Sequence, residues 1–319
     1  MKEQAILYVV VPCYNEEEVI NETTKRLKKK LEKLISDNVI SENSKVLYVN
    51  DGSNDNTWEI IKEINEKDNL FSGISLSRNR GHQNALLAGL LTAKKYSDVV
   101  ISMDADLQDD INAIDEMLKK YYEGCDIVYG VRSSRKKDSF LKKFTAESFY
   151  KFMNKMGVKL IYNHADFRLT SKRVLDEFAN YQEDNLFLRG IFPLIGFKTD
   201  VVYYKREKRF AGKSKYPLKK MVNLAMNGIT SFSLKPIDMI LNLGVFLTCI
   251  SILTIVILFI LFLCKKNISS LTFALVALWI LGSINLMALG LVGEYIGRTY
   301  LESKHRPRYI ISESLINEK

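Results

Sequence analysis

Up to about residue 135 the chain alternates short apolar runs with longer charged runs of helical period, and this alternation restricts its fold more than any other feature. AILYVVV is followed by EEEVINETTKRLKKKLEKLI, KVLYVN by DNTWEIIKEINEK, FSGISLS by HQNALLAGLLTAKKY, and DVVISMD by INAIDEMLKKYYEG; then comes DIVYGVR. Apolar strands set between amphipathic helices predict an α/β domain with a mostly parallel sheet covered on both faces. In such sheets ligands bind beyond the carboxyl ends of the strands. The polar clusters PCYNE, NDGSNDNT, SRNRG and DADLQDD follow the first four strands, so four strand ends are expected to converge on one crevice.

Beyond Arg132 the pattern changes. SFLKKFTAESFYKFMNKMGVKLI, near 139–161, and the segment 213–235 mix aromatic and apolar residues with lysines. Each reads either as an interfacial helix with its lysines at lipid headgroups or as an ordinary half-buried helix. Two long uncharged stretches follow, one reaching Cys264 and one from Leu271 to Gly293, which predict a two-helix transmembrane hairpin over 236–295. Lys213, Lys215, Lys219, Lys220 and Lys235 precede it and Arg298, Lys304, Arg306 and Arg308 follow it, with Lys265 and Lys266 between. That asymmetry predicts a cell-membrane protein with two spans, both termini and the 296–319 tail lying in the cytoplasm. The net charge of +9 calls for an anionic partner. Nucleic acid is excluded, because the cations gather beside apolar stretches and not along an aromatic-studded soluble face. Four cysteines without paired spacing read as reduced thiols.

MDADLQDD places Asp104, Asp106, Asp109 and Asp110 at one strand end. Asp104 and Asp106 could share Mg2+ or Mn2+, ions that take oxygen ligands together with water and substrate phosphates; the bland reading is a solvated acidic turn. In VNDGSNDNT, Gly52 permits a tight turn and Asp55 or Asn56 caps the next helix, while Asp51 stands at the strand tip, where a carboxylate could accept hydrogen bonds from a base or ribose. Arg78 and Arg80 bring cations towards the acids, and His82 reads as a helix-start or supporting residue, not a metal ligand.

VVPCYNE, VNDGSNDNT, SRNRGHQNALLAG, MDADLQD and GVRSSR, in this order, resemble the GT-A fold of the family 2 inverting glycosyltransferases. Through HADFRLTSKRV, FLRGIFPLIGF and RFAGKSKYPLKKM to the two apolar stretches, the chain resembles the polyprenyl-phosphate glycosyltransferases, among them dolichol-phosphate mannose synthase and the enzymes that charge undecaprenyl phosphate with a sugar. The resemblance implies a Rossmann-like catalytic domain over 1–212. It implies that Pro12, Tyr14, Glu16, Asp51, Arg80, Asp104, Ala105 and Arg132 hold a nucleotide-sugar, that Asp104, Asp106 and Gln108 surround the metal, and that Arg206, Arg209, Lys213, Ser214 and Lys215 meet the diphosphate or the acceptor phosphate. One departure stands out: Asn50 precedes Asp51 where many relatives have two acids.

The implied reaction transfers one sugar, from UDP-glucose or UDP-N-acetylglucosamine, to undecaprenyl phosphate at the cytoplasmic face. Asp106 and Asp166 are the candidate catalytic residues. Asp166 would orient or weakly deprotonate the acceptor, or would instead form a structural salt bridge with Arg168 or Arg173. A lipid phosphate is already an anion and needs positioning more than a base. Two alternatives remain open: transfer to a hydroxyl acceptor, and a non-catalytic membrane sensor of nucleotide-sugars. The resemblance also implies a homo-oligomer such as a tetramer, and a flippase and downstream transferase that use the product.

Overall fold

The computed structural model describes residues 4–133, 164–181, 183, 187–206, 270–316 and isolated positions between 239 and 253. The expected interfacial helices at 139–161 and 213–235, and nearly all of the first uncharged stretch, lie outside the described residues.

The expected alternation is present. Strands β1 (Leu7–Cys13), β2 (Lys45–Asn50), β3 (Phe71–Leu76), β4 (Val99–Ser102) and β5 (Ile127–Arg132) are separated by α1 (Ile20–Ser36), α2 (Thr57–Lys67), α3 (His82–Ala93) and α4 (Ala113–Tyr122). Then come β6 (His164–Ser171), α5 (Lys172–Phe178), α6 (Leu188–Ile195), β7 (Thr199–Tyr204), α7 (Ser270–Glu302) and β8 (Ile311–Ser314). The eight strands form one sheet in the order β7-β5-β6-β4-β1-β2-β3-β8. Four of the seven pairings are parallel and three, those of β6 with its two neighbours and of β8 with β3, are antiparallel.

Every residue of β1 is buried, because successive side chains enter opposite cores. Leu7, Val9 and Val11 pack with Leu27, Leu31 and Ile114 on one face, whereas Tyr8 and Val10 pack with Leu86, Leu90 and Phe192 on the other. Each fully buried aliphatic side chain contributes about 1.5–3 kcal/mol of transfer free energy. Gly89 sets how closely α3 lies on the sheet: a Cβ there would come within 2.3 Å of Val10 Cγ1. This contact aims the N-terminus of α3, and His82 with it, at the ends of β1, β2 and β4.

Two pairings lie beyond what the sequence predicted. Strand β6 inserts between β4 and β5, antiparallel to both. Within the expected 296–319 tail, residues 311–314 form a strand that extends the sheet beyond β3. Among the described residues no helix is long and apolar enough to cross a membrane. The second uncharged stretch lies within α7, some of whose side chains are outside the description.

Candidate active site

The loops after β1 and β2 are stitched together. Asn15, in the left-handed region at φ 53, donates its backbone N–H to Ser53 Oγ at 3.0 Å and accepts from the Asn54 N–H at 2.9 Å. The Glu16 N–H donates to Thr57 Oγ1 at 2.8 Å. This lattice fixes the backbone between buried Pro12 and half-buried Tyr14 and Glu16, so these three predicted residues do come together with Asp51 at the strand ends.

Asp51 is buried and accepts from the backbone N–H groups of Arg80 at 2.7 Å and Gly81 at 2.9 Å. Burial raises its pKa, and those two hydrogen bonds oppose the rise. Gly52, at φ +63, lets the next loop close over it, since a Cβ would sit 2.5 Å from the Asn79 nitrogen. Arg80 thus reaches Asp51 through its backbone, and among the described residues its Nε is a buried donor without a partner. Asn50 also explains the departure from two acids. Its amide donates to Ser75 Oγ at 2.9 Å and accepts from the Ser53 N–H at 3.1 Å, a double role that a carboxylate cannot fill.

The four aspartates after β4 divide by partner. Asp109 is buried, accepts from Tyr204 Oη, and lies 3.4 Å from the Arg132 guanidinium. Asp110 caps the turn into α4 by accepting from the Asn112 N–H at 2.9 Å. Asp106 Oδ1 accepts from the Gln108 N–H at 3.2 Å, and Asp104 Oδ1 lies 3.7 Å from His82 Nε2. Leu107, at φ 57, turns the loop sharply, and the buried Ala105 carbonyl accepts from Thr23 Oγ1 at 2.8 Å. Asp104 is pushed up to about 6, first by burial and then by the neighbouring Asp109, Asp166 and Asp106 charges, against the pull of His82.

Asp166 lies in β6, which is why it enters the same site from the antiparallel direction. Its two oxygens meet Arg189 Nε and a terminal guanidinium nitrogen, each at 3.1 Å, and His82 Nε2 lies 3.5 Å away. Burial alone would raise its pKa, but Arg189 and His82 hold it well below the usual carboxylate range. His82 is disfavoured as a cation by burial, yet Asp166 and Asp104 raise it to about 9. Gln83 Oε1, accepting from the Leu188 N–H at 3.0 Å, ties the start of α3 to the start of α6 and so keeps these groups in register.

Both Asp166 oxygens are engaged by Arg189, and Arg189 with His82 holds its pKa well below the usual carboxylate range, which weakens it as a base. Its partner is neither Arg168 nor Arg173, the residues expected for a salt bridge. Arg173 pairs with Asp126, and Arg168 is fully buried, stacked 3.6 Å above the Phe192 ring with no hydrogen-bond acceptor for its guanidinium. Burial lowers Arg168 to about 10, which leaves it charged at neutral pH.

Of the residues expected to meet phosphates, Arg206 is described. It is exposed and donates to Gln108 Oε1, beside the acidic loop. Arg209, Lys213, Ser214 and Lys215 lie outside the described residues.

With this geometry in place, the family comparison is decisive. The Glycosyl transferase family 2 model matches residues 8–179, which contain the crevice loops, Asp104, Asp106 and Asp166. The chain belongs to glycosyl transferase family 2. This transferase is 52% identical over 316 residues to the uncharacterized glycosyltransferase YkoT of Bacillus subtilis (strain 168), covering 99% of this chain and 94% of that one. It is 41% identical over 313 residues to the bactoprenol glucosyl transferase of Shigella phage SfV, covering 98% of each. The mixed, mostly parallel sheet with its acidic loop after β4 is the GT-A fold, and the protein is a glycosyltransferase enzyme.

The donor set of the transferase fits a divalent ion held jointly with a ligand. Among the described residues no group of three or more His, Cys, Asp or Glu side chains could hold a metal unaided. Two carboxylates plus an amide form only part of a shell, and magnesium and manganese usually complete theirs with phosphate and water oxygens. His82 does start α3 and stands as a supporting residue beside Asp104 and Asp166, as expected, whereas Arg189 and Tyr204 are residues of this crevice that the sequence did not single out. The position of His82 directly after SRNRG, and of Arg189 in FLRG, were the available signals, but only the packing of α3 against α6 and β6 gives them meaning.

Proposed function

We propose that this enzyme performs an inverting transfer of a single sugar from a nucleotide-sugar, UDP-glucose or UDP-N-acetylglucosamine, to undecaprenyl phosphate at the cytoplasmic face of the cell membrane. The observation that carries the proposal is Arg206 on Gln108: the basic segment that precedes the apolar stretches begins at the acidic crevice, where a diphosphate and an acceptor phosphate would meet. Relatives named bactoprenol glucosyl transferases support the same lipid class. In this reading Pro12, Tyr14, Glu16, Asp51 and Arg80 hold the nucleotide, and Asp104, Asp106 and Gln108 hold Mg2+ or Mn2+. The ion supplies charge neutralisation of the leaving nucleoside diphosphate. Arg132 and Arg206 balance phosphate charge. Asp166, fixed between His82 and Arg189, would orient the acceptor and is a weak base at best. A phosphate acceptor, already an anion and in no need of a base, suits that arrangement better than a hydroxyl.

Two features support membrane attachment. Leu271, Leu278, Leu289 and Ile296 are exposed along the 33-residue helix α7. Moreover, β8 pairs with β3, so both ends of the intervening segment return to the same side, as an even number of crossings requires. The proposal includes a homo-oligomer, such as a tetramer, and a flippase and second transferase that consume the product.

The test is to incubate the detergent-purified enzyme with undecaprenyl phosphate, Mg2+ or Mn2+ and each nucleotide-sugar, and to read the lipid fraction by mass spectrometry. One hexose or N-acetylhexosamine on lipid phosphate is expected. A product formed only on a hydroxyl-bearing lipid, or no product despite donor binding, would move the assignment to the alternative acceptor or to a sensor.

A further inference from the structure

Strand β8 comes from the far end of the chain, yet it touches the donor side of the crevice. Its partner β3 runs directly into the loop Ser77–Gly81, whose Arg80 and Gly81 N–H groups hold Asp51. The Ser77 N–H donates to the Ile310 carbonyl at 2.9 Å, which closes the open side of that loop. A second route runs through the sheet: Ser312 Oγ donates to the Ser75 carbonyl at 3.1 Å, and Ser75 Oγ accepts from Asn50 Nδ2 at 2.9 Å, one residue before Asp51. The strand is docked by contacts of its own. Glu313 accepts from Trp58 Nε1 at 2.8 Å and pairs with Lys62 at 3.4 Å, the Leu315 N–H donates to the Gly73 carbonyl at 2.8 Å, and Arg308 donates to the Tyr181 carbonyl at 3.0 Å.

We propose that the returning C-terminal segment, residues 310–313, is a positioning element of the donor site, which holds the Ser77–Gly81 loop and thereby the Asp51 carboxylate in the geometry that receives a nucleoside. The inference rests on the reading of Asp51 as a nucleotide contact. Its physical basis is conformational entropy. Without β8, β3 would be the sheet edge and the Ser77 N–H would lose its partner, so the loop would have to be ordered anew each time a ligand bound. Seven residues separate the segment from the end of α7 at Glu302, and donor affinity is thereby linked to how the part of the chain from α7 onwards is seated on the catalytic domain.

The test measures nucleotide binding, not turnover. Full-length protein, a variant lacking residues 310–319, and the full-length double variant Ser312→Ala/Glu313→Ala are titrated calorimetrically with UDP and Mn2+. Trp58 emission, in a Trp279→Phe background, reports strand docking. Deletion should weaken UDP binding about tenfold, and the double variant about threefold, by loss of preorganisation and of two or three hydrogen bonds. A peptide spanning residues 308–316, added to the deletion variant, should restore both the Trp58 emission and the affinity. Unchanged UDP affinity while Trp58 reports a displaced strand would overturn the inference, as would peptide docking that leaves affinity unimproved. Should the deletion fail to fold, the single variant Ser312→Ala, which keeps Glu313 on Trp58, decides by the same criterion. Failure of the unaltered protein to bind UDP at all would instead remove the nucleotide reading of Asp51 on which the inference stands.

Discussion

Asp109 and Asp166 on one side, and Asp104 and Asp106 on the other, are carboxylates of one crevice with opposite fates. Asp109 is answered by Arg132 and Tyr204, and Asp166 by Arg189 and His82. Asp104 receives only part of the His82 charge, at 3.7 Å, and its pKa rises to about 6. The difference separates two uses of the same residue. A carboxylate with its own cation shapes the site, whereas one left under-compensated is a place for a ligand's cation. Within the four-aspartate run, Asp109 meets Arg132 and Tyr204 and Asp110 accepts from the Asn112 N–H, which sets both apart from Asp104 and Asp106, a division invisible in their spacing.

The largest expected effect lies on the functional side. Asp104→Ala should reduce sugar transfer on the order of a thousandfold by removing part of the electrostatic stabilisation of the leaving group, with little change in melting temperature. Chelation should mimic it, and added Mn2+ should reverse the chelation but not the mutation. An Asp104→Ala enzyme that keeps near-normal turnover would break the comparison at its centre.

On the structural side, Arg189→Ala should cost about 2–3 kcal/mol in urea unfolding, because it strands a buried carboxylate. This lies below the cost of breaking a fully buried pair, since the Arg189 side chain is 33% exposed and His82 stays beside the carboxylate. Adding Asp166→Ala should return part of that stability, and a double-mutant cycle reads the coupling. If the double variant is no more stable than Arg189→Ala, Asp166 does not depend on its pairing as described.

Asn50→Asp sharpens the comparison by adding a second buried acid directly before Asp51. The new side chain cannot donate to Ser75, and a loss of about 2 kcal/mol in chemical denaturation is expected. Equal stability would mean that Asn50 is replaceable by the second acid of its relatives. The smallest effect is expected for Tyr204→Phe. It deletes one hydrogen bond to Asp109, should lower stability by about 1 kcal/mol, and should leave Arg132 to hold the carboxylate. Thermal unfolding of the two proteins side by side measures it.

The first four strands and their crevice were legible because each strand and its covering helix are adjacent in sequence and carry distinct periodicities. Asp51, Asp104 and Asp106 were legible for the same reason: they stand at strand ends, and strand ends in a parallel sheet share a side. The place of β6 between β4 and β5 was not legible, since nothing local in HADFRLTS states its neighbours or its direction. Asp166 was identified as a site residue, but its partner was sought two and seven residues along the chain, when Arg189 comes from α6 across the core. The strand at 311–314, within the tail expected over 296–319, was not legible because its residues alternate too weakly to announce a strand, and it is formed by pairing with β3.

By itself, then, the sequence determined the α/β domain, the crevice and the acidic loop that serves it, since local periodicity and turn chemistry suffice to specify them. Tertiary structure alone decided which aspartates are neutralised, that Asp166 is locked by Arg189 and His82, and that the chain's end returns to brace the loop over Asp51. These depend on contacts between residues tens to hundreds of positions apart, and a charge is paired or left open according to what the fold brings within a few ångströms of it, on which sequence spacing is silent.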